Sequence, residues 1–284
     1  MSGQTTEAQA ALPGSGWDCH AHLFGPYDQF PLAKDRSYTP PEASLDHYLA
    51  LLARLDLSHG VLVQASAYGE DHSLLFQVLA MQPQLRGVMV TRPDGLKRLL
   101  THKPPGLRAA RFSHRSGAGA NFAGSASLDD LLQMAAPLAD AGLHAELWTD
   151  CKALPHIAAT LAGLPVPVVI DHMGGFDAWA GVNDPGFRAL LTLLESGKVW
   201  VKLCAYRNLL NAAGMEAGLP FHRKLVEVNP ARLVWGSDWP HLRVTPVPDA
   251  AMLLGLFKSW TGDEKRVQQI LIDNPAQLYG QKPQ

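Results

Sequence analysis

The 284-residue sequence is poor in cysteine, with only Cys19, Cys151 and Cys204. They are widely spaced, odd in number and include no Cys-x-x-Cys pair, which excludes a disulfide framework and fits reduced thiols in a cytoplasmic protein. Charge of one sign is also missing. The 24 Lys and Arg against 26 Asp and Glu leave a net −2, so nothing electrostatic argues for nucleic acid or an anionic membrane as partner. No apolar run reaches the roughly 18 residues of a membrane-spanning helix. Residues 1–15 have neither a basic start nor a long apolar stretch, and read as a disordered lead-in rather than a signal peptide. No Gly-rich phosphate loop follows the first predicted strand, which counts against an open doubly wound sheet. Repeats, low-complexity tracts and linkers are absent too, so residues 16–284 read as one domain.

What is present is a core. Apolar residues make up 47% of the chain and charged residues 18%. Eight short apolar runs read as strands: Gly16–His20, His59–Gln64, Arg86–Thr91, Leu107–Phe112, His144–Trp148, Val166–His172, Val199–Cys204 and Leu233–Asp238. Helical patterns fill the intervals. Leu45–Leu57 repeats Leu at helical spacing, Glu70–Pro83 ends on proline, and Ser127–Gly142 has a capping serine and a closing glycine. Further helices are predicted over Cys151–Gly163, Asp184–Ser196, Pro220–Val228, Asp249–Trp260 and Asp263–Ile272. Near-continuous apolar strands alternating with helices predict a parallel sheet covered on both faces. Eight such units in this length predict an α/β fold of the (β/α)8 TIM-barrel type.

In such a barrel the strand-to-helix loops build the site at the C-terminal rim. Two of them are long, Leu23–Ser44 and Ser113–Ala126. Asp18-Cys-His20-Ala-His22 stands at the end of the first strand, where period-two alternation aims both imidazoles the same way. The other rim positions offer Arg111 from the fourth strand, His172 from the sixth, Lys202 or Arg207 from the seventh, and Asp238 from the eighth. Three imidazoles and a carboxylate around one cavity suit hydrolysis, with a bound metal or by direct activation of water. Asp238 has the strongest individual case, because an apolar Leu-Val-Trp strand does not end in a carboxylate without a partner. Arg111, Arg115 and Arg207 bring forked guanidiniums suited to a substrate carboxylate.

Together with Val63-Gln64-Ala-Ser66, Arg108-Ala-Ala-Arg111-Phe, Val169-Ile-Asp-His172-Met-Gly174, Trp235-Gly-Ser-Asp238-Trp-Pro-His241 and Asn274-Pro-Ala-Gln-Leu-Tyr279, these motifs resemble the amidohydrolase superfamily. Within it they resemble the branch of 2-pyrone-4,6-dicarboxylate lactonases and sugar-lactone hydrolases, over about Gly16 to Gly280. The resemblance implies that Asp238 deprotonates water while His20, His22 and His172 orient and polarise a lactone carbonyl. It implies substrate contacts from Tyr38, Gln64, Ser66, Arg111, Arg115, Trp148, Arg207 and His241. Binuclear members supply a bridging Lys or Glu from the fourth strand and a His from the fifth. Arg111 and Trp148 stand near those places here, so two metals are not expected. No cofactor is expected at all, although His20, His22, His172 and Asp238 supply ligands suited to a single Zn²⁺. Gly175 departs from the pyrone-dicarboxylate pattern, which has Arg after His-Met-Gly, and that points to a different acidic lactone. The competing readings are a zinc-dependent non-oxidative decarboxylase of aromatic acids and a catalytically silent barrel that binds a small anion.

Overall fold

The computed structural model describes residues 15–210, 212 and 214–280. The expected lead-in before Ser15 and the last four residues lie outside the described residues. Eight parallel strands pair in chain order: β1 (Gly16–Ala21), β2 (Leu57–Val63), β3 (Leu85–Met89), β4 (Leu107–His114), β5 (His144–Thr149), β6 (Val168–Ile170), β7 (Val199–Leu203) and β8 (Leu233–Trp235). A two-residue strand, Ala126–Ser127, adds to the end of β4. The ring closes beyond β8. There the Asp238 N–H donates to the His20 carbonyl, and the His22 N–H to the Trp239 carbonyl, each at 2.8 Å. This is the expected (β/α)8 barrel.

Local chemistry sets the helices. Ser44 caps α1 (Leu45–Arg54), and Ser127 with Asp130 forms a capping box on α4 (Leu128–Asp140) after α2 (Ser73–Met81) and α3 (Pro93–Thr101). Asp184 caps α6 (Pro185–Glu195), which follows α5 (Leu154–Gly163). Asp249 caps α8 (Ala250–Thr261), which follows α7 (Leu219–Val228) and ends on Gly262 in the left-handed conformation. None of the helices among the described residues is long and apolar enough to cross a membrane.

Boundaries differ from the sequence reading where tertiary pairing takes over. α1 stops at Arg54 because Leu57 already pairs with Gly16 in the sheet. The predicted Glu70–Pro83 helix begins only at Ser73, where the Asp71 carboxylate accepts from the Ser73 N–H. The expected helix Asp263–Ile272 breaks into α9 (Glu264–Gln268), a wide turn at Gln269–Asp273, and α10 (Asn274–Tyr279). β6 and β8 are only three residues long. The chain leaves the ladder early there, freeing Asp171, His172 and Asp238 to turn toward the rim.

Side chains alternate across the barrel wall. Trp17, Cys19, Val61, Val63, Val88, Ala109, Val169, Trp200 and Val234 fill the lower interior, with Tyr279 of α10 packed among them. Residues one step out of phase, such as Leu62, Met89, Ala110, Phe112, Leu147 and Ile170, join the larger layer between strands and helices. Above the apolar plug the interior turns polar. Glu146 of β5 and Lys202 of β7 are both fully buried and meet at 2.5 Å.

Candidate active site

At the top of the barrel a cavity of about 280 Å³ is lined by His22, Tyr38, Ser66, Arg111, Arg115, Trp148, His172, Arg207 and Asp238 among the residues singled out from sequence. It also meets Phe122, Asn208 and Arg243, which the sequence reading passed over. His20 stands behind this surface, fully buried, with its ring 5.0 Å from that of His22 and 4.8 Å from that of His172. The two β1 imidazoles meet as expected, although the β1–β2 register is irregular between Asp18 and Ala21. Asp18 fixes that corner. Its carboxylate accepts from the Ser237 N–H and hydroxyl, the His20 N–H and the Tyr48 hydroxyl. Burial pushes its pKa up to about 6 against those hydrogen bonds. Gly236 lets β8 approach, since a Cβ there would lie 2.6 Å from that of His20.

Asp238 is held at a positive φ of 59°, a costly conformation for a non-glycine residue, and its carboxylate is divided between two tasks. Oδ2 accepts from the Tyr206 hydroxyl at 2.7 Å and, very closely, from Arg207 Nε. Oδ1 makes no hydrogen bond and lies 3.4 Å from His22 Nε2 and 3.7 Å from His20 Nε2. Burial would push the carboxyl up in pKa, but the Arg207 guanidinium and the neighbouring imidazoles hold it well below the usual range. It is an anion at neutral pH. His22 Nδ1 lies 2.6 Å from the Val63 carbonyl, which can only accept. Nδ1 therefore carries a proton, and Nε2 is the ring nitrogen that faces Asp238 Oδ1.

Burial pushes His172 well below an ordinary imidazole pKa, leaving it neutral. Its backbone, at φ 50°, is pinned by Asn208 Nδ2 donating to its carbonyl. Arg111 does not stand free. Its Nε and Nη2 converge on Asp171 Oδ2 at 3.1 and 3.0 Å. Burial opposes ionisation of Asp171, but Lys202, His20 and Arg111 keep it well below the usual carboxylate range.

The outer wall is a ladder of cations and rings. Arg115 lies 4.3 Å and Arg111 5.5 Å from the Trp148 ring centre, Trp148 packs 5.2 Å from Phe122, and Phe122 meets Tyr38 at 5.2 Å and Arg243 at 5.0 Å. Two residues expected at the substrate are not on the cavity wall. Gln64 spends its amide on backbone, donating to the Gly69 and Asp71 carbonyls and accepting from the Val90 N–H. His241 is buried against the Tyr206 ring, its N–H donating to the Asp238 carbonyl. Both shape the site through the backbone.

Ligand-type atoms come within 4.8 Å of one another in three groups: His20, His22 and Asp238; His20, Asp171 and His172; and His172, Cys204 and Asp238. Proximity alone does not make a metal centre, because each atom must offer a lone pair. Burial pushes the Cys204 thiol well above the ordinary range. His20 Nδ1 lies 3.1 Å from Lys202 Nζ and 3.4 Å from Asp171 Oδ1.

Comparison with known proteins agrees with this architecture. The chain is 32% identical over 276 residues to 4-sulfomuconolactone hydrolase of Hydrogenophaga intermedia, covering 95% of this chain and 90% of that protein. It is 31% identical over 289 residues to 2-pyrone-4,6-dicarboxylate hydrolase of Comamonas testosteroni, covering 96% and 93%. A Pseudomonas putida structure provisionally described as a 2-pyrone-4,6-dicarboxylic acid hydrolase superposes with a TM-score of 0.80 at 30% identity, covering 96% of this chain and all of that one. The family model described as amidohydrolase matches residues 17–281, and the chain belongs to that family.

Proposed function

We propose that this protein hydrolyses the ring ester of a small acidic lactone and does so without a resident metal. The observation that carries the reading is the division of Asp238. One oxygen is anchored by Tyr206 and Arg207, and the other makes no hydrogen bond and lies 3.7 Å from His20 Nε2 and 3.4 Å from His22 Nε2. A water donating to Asp238 Oδ1 and His22 Nε2 presents its own lone pair to a carbonyl carbon. Asp238 takes the water proton as the C–O bond forms, with the His20 imidazole behind it, Nε2 3.7 Å from Oδ1. The tetrahedral adduct then collapses with cleavage of the ring C–O bond. That yields an enol or alcohol, which takes up the proton that Asp238 held, and a carboxylic acid, which releases its own proton to solvent as the carboxylate.

The acidic character of the substrate follows from charge. Four guanidiniums, those of Arg111, Arg115, Arg207 and Arg243, face the cavity, and two of them are paired with Asp171 and Asp238. Arg115 and Arg243 form no carboxylate hydrogen bond among the described residues. They stand where a carboxylate or sulfonate on the far side of the lactone would reach them. The relatives' names carry those two acids, as pyrone dicarboxylate and sulfomuconolactone. Gly175, at φ 58°, would place a Cβ 3.0 Å from the Asp150 backbone, so the extra arginine of the pyrone-dicarboxylate pattern has no ready place here.

Assaying purified enzyme on a panel of carboxylated and sulfonated lactones, with and without chelator, tests the reading. Ring opening of at least one acidic lactone, undiminished by chelator, is expected. Loss of all turnover on metal removal, with zinc restoring decarboxylation of an aromatic acid instead, would replace it.

A further inference from the structure

We infer that Lys202 acts as a positioning residue that fixes the tautomer of His20, so that His20 meets the site as an N–H donor and not as a metal ligand. The inference rests on the lactonase reading for its purpose, but not for its geometry. A fully buried lysine is costly unless its charge is matched. Here Nζ has three neighbours, Glu146 Oε2 at 2.5 Å, His20 Nδ1 at 3.1 Å and Asp171 Oδ1 at 3.4 Å. Two of them are anions. Burial works against the ammonium, yet Glu146 and Asp171 outweigh it and raise the lysine pKa above its ordinary value. Glu146 is itself held in place, its Oε1 accepting from the Tyr279 hydroxyl at 2.8 Å.

The consequence for His20 is a matter of counting protons. A ring nitrogen that accepts from an ammonium carries no proton, which leaves the other nitrogen to hold it. Two groups compete for His20 Nδ1. Asp171 Oδ1, at 3.4 Å, would take a proton from Nδ1 and bare Nε2, but it is the more distant of the two. Lys202 forms the hydrogen bond and can only donate. The ring proton therefore sits on Nε2, facing Asp238 Oδ1. A polar line thus runs from Tyr279 near the barrel floor through Glu146 and Lys202 to His20, and it sets which chemical face the first histidine of the β1 motif shows. An imidazole locked this way turns a donor toward Asp238 and gives a divalent ion no lone pair.

The test needs no substrate, so its outcome is separate from that of the lactone assay. Protein labelled with ¹⁵N-histidine, with a His20→Asn sample to assign the signals, reports the His20 tautomer at neutral pH. Nε2 of the pyrrole type, bearing its proton, is expected, and a pyridine-type Nε2 overturns the inference. Because Lys202→Met alone strands the Glu146 charge, the perturbing variant is Lys202→Met with Glu146→Gln. With the ammonium gone, Nδ1–H is free to turn to Asp171. Nε2 should then become pyridine-type, and zinc Kd, measured by competition with a chelating dye, should fall at least about tenfold, the lower range for a change beside a ligand. Rescue is expected from neither Asp18 nor Asp238, so kcat should fall while KM changes little. An unchanged tautomer and unchanged zinc affinity in a folded double variant would overturn the assignment. Should the variant fail to fold, the spectrum of the unaltered protein decides.

Discussion

Asp238→Asn separates the base from its scaffold. The anchored side of the carboxylate receives donors from Tyr206 and Arg207, so the amide oxygen of an asparagine must take that side. Its NH₂ then points to the open side, toward His22 Nε2 at 3.4 Å in the parent, where it finds an acceptor. The substitution thus keeps shape and hydrogen bonds but puts a donor where the water proton must be received. General-base loss of about 10²–10⁴-fold in kcat is expected, or ~2.7–5.4 kcal/mol at 1.36 kcal/mol per decade. KM should change little, because the acid group of the substrate is held elsewhere. Stability should fall by less than the ~3–5 kcal/mol of a fully buried broken pair, because the Arg207 side chain is 24% exposed and partly screened. The pH dependence has a definite sign. The Asp238 pKa is depressed by folding, so its contribution to stability is present above the unfolded value of about 3.9 and is lost as pH falls through the lower folded value. Its protonation likewise cannot give an acidic limb in the ordinary carboxylate range. Initial rates on the best lactone from pH 4 upward (about the unfolded Asp value), with thermal melts of both proteins, provide the check. Turnover of Asp238→Asn within about tenfold of the parent would refute the base assignment.

Three further outcomes follow from particular contacts. Arg243→Met and Arg115→Met should each raise KM for an acidic lactone by about tenfold or more while kcat moves less, the mark of a lost charge contact with the bound acid; an equal effect on a neutral lactone in the same steady-state assay would show that the guanidiniums are only packing. Gln64→Leu should lower stability by about 1–3 kcal/mol, from the stranded Val90 N–H and its backbone partners, with kcat nearly unchanged; denaturant melts beside rates check this, and a selective kcat loss would return Gln64 to the substrate. Gly236→Ala forces a Cβ to within 2.6 Å of that of His20, so melts and rates should show both a stability loss of about 1–3 kcal/mol and a fall in kcat, whereas parent-like behaviour would mean the corner is looser than described.

The barrel was legible because strand and helix periods alternate cleanly and the caps are explicit. Ser127 with Asp130, and Asp184 before Pro185, mark helix starts by chemistry that acts within one turn. Ends set by tertiary pairing were not legible. Nothing local distinguishes Leu55 from Leu57, yet one ends a helix region and the other begins a strand against Gly16. At the site, the histidine pair, His172 and Asp238 were legible because polar residues stood at the ends of apolar strands. Phe122 and Arg243 were missed because each lies in irregular chain, where no periodicity shows which way a side chain faces. Glu146 and Lys202 did carry a signal. Strands covered on both faces, His-Ala-Glu-Leu-Trp-Thr and Val-Trp-Val-Lys-Leu, have no solvent for a charge, so an acid in one and a base in another should pair through the barrel.

Arginine placement along the chain does not show which guanidiniums already have a carboxylate partner. Arg111 lies within β4 and Arg207 in the turn after β7, both on the cavity wall, and both are met by carboxylates of the chain itself. Arg207 orients the base, and Arg111 steadies the Asp171 carboxylate beside Lys202. Substrate charge must then be matched by guanidiniums that the protein leaves unmatched, and those stand on the loops, against Trp148 and Phe122. Stacking keeps these guanidiniums positioned without neutralising them, as a carboxylate partner would. On the proposed reading, the strand ends hold the chemistry of ring opening and the loops the choice of acid. Lactones differing in the acid they carry, a carboxylate or a sulfonate, can be distinguished on this barrel by changing loop residues such as Arg243 with Asp238, His20 and His22 left as they are.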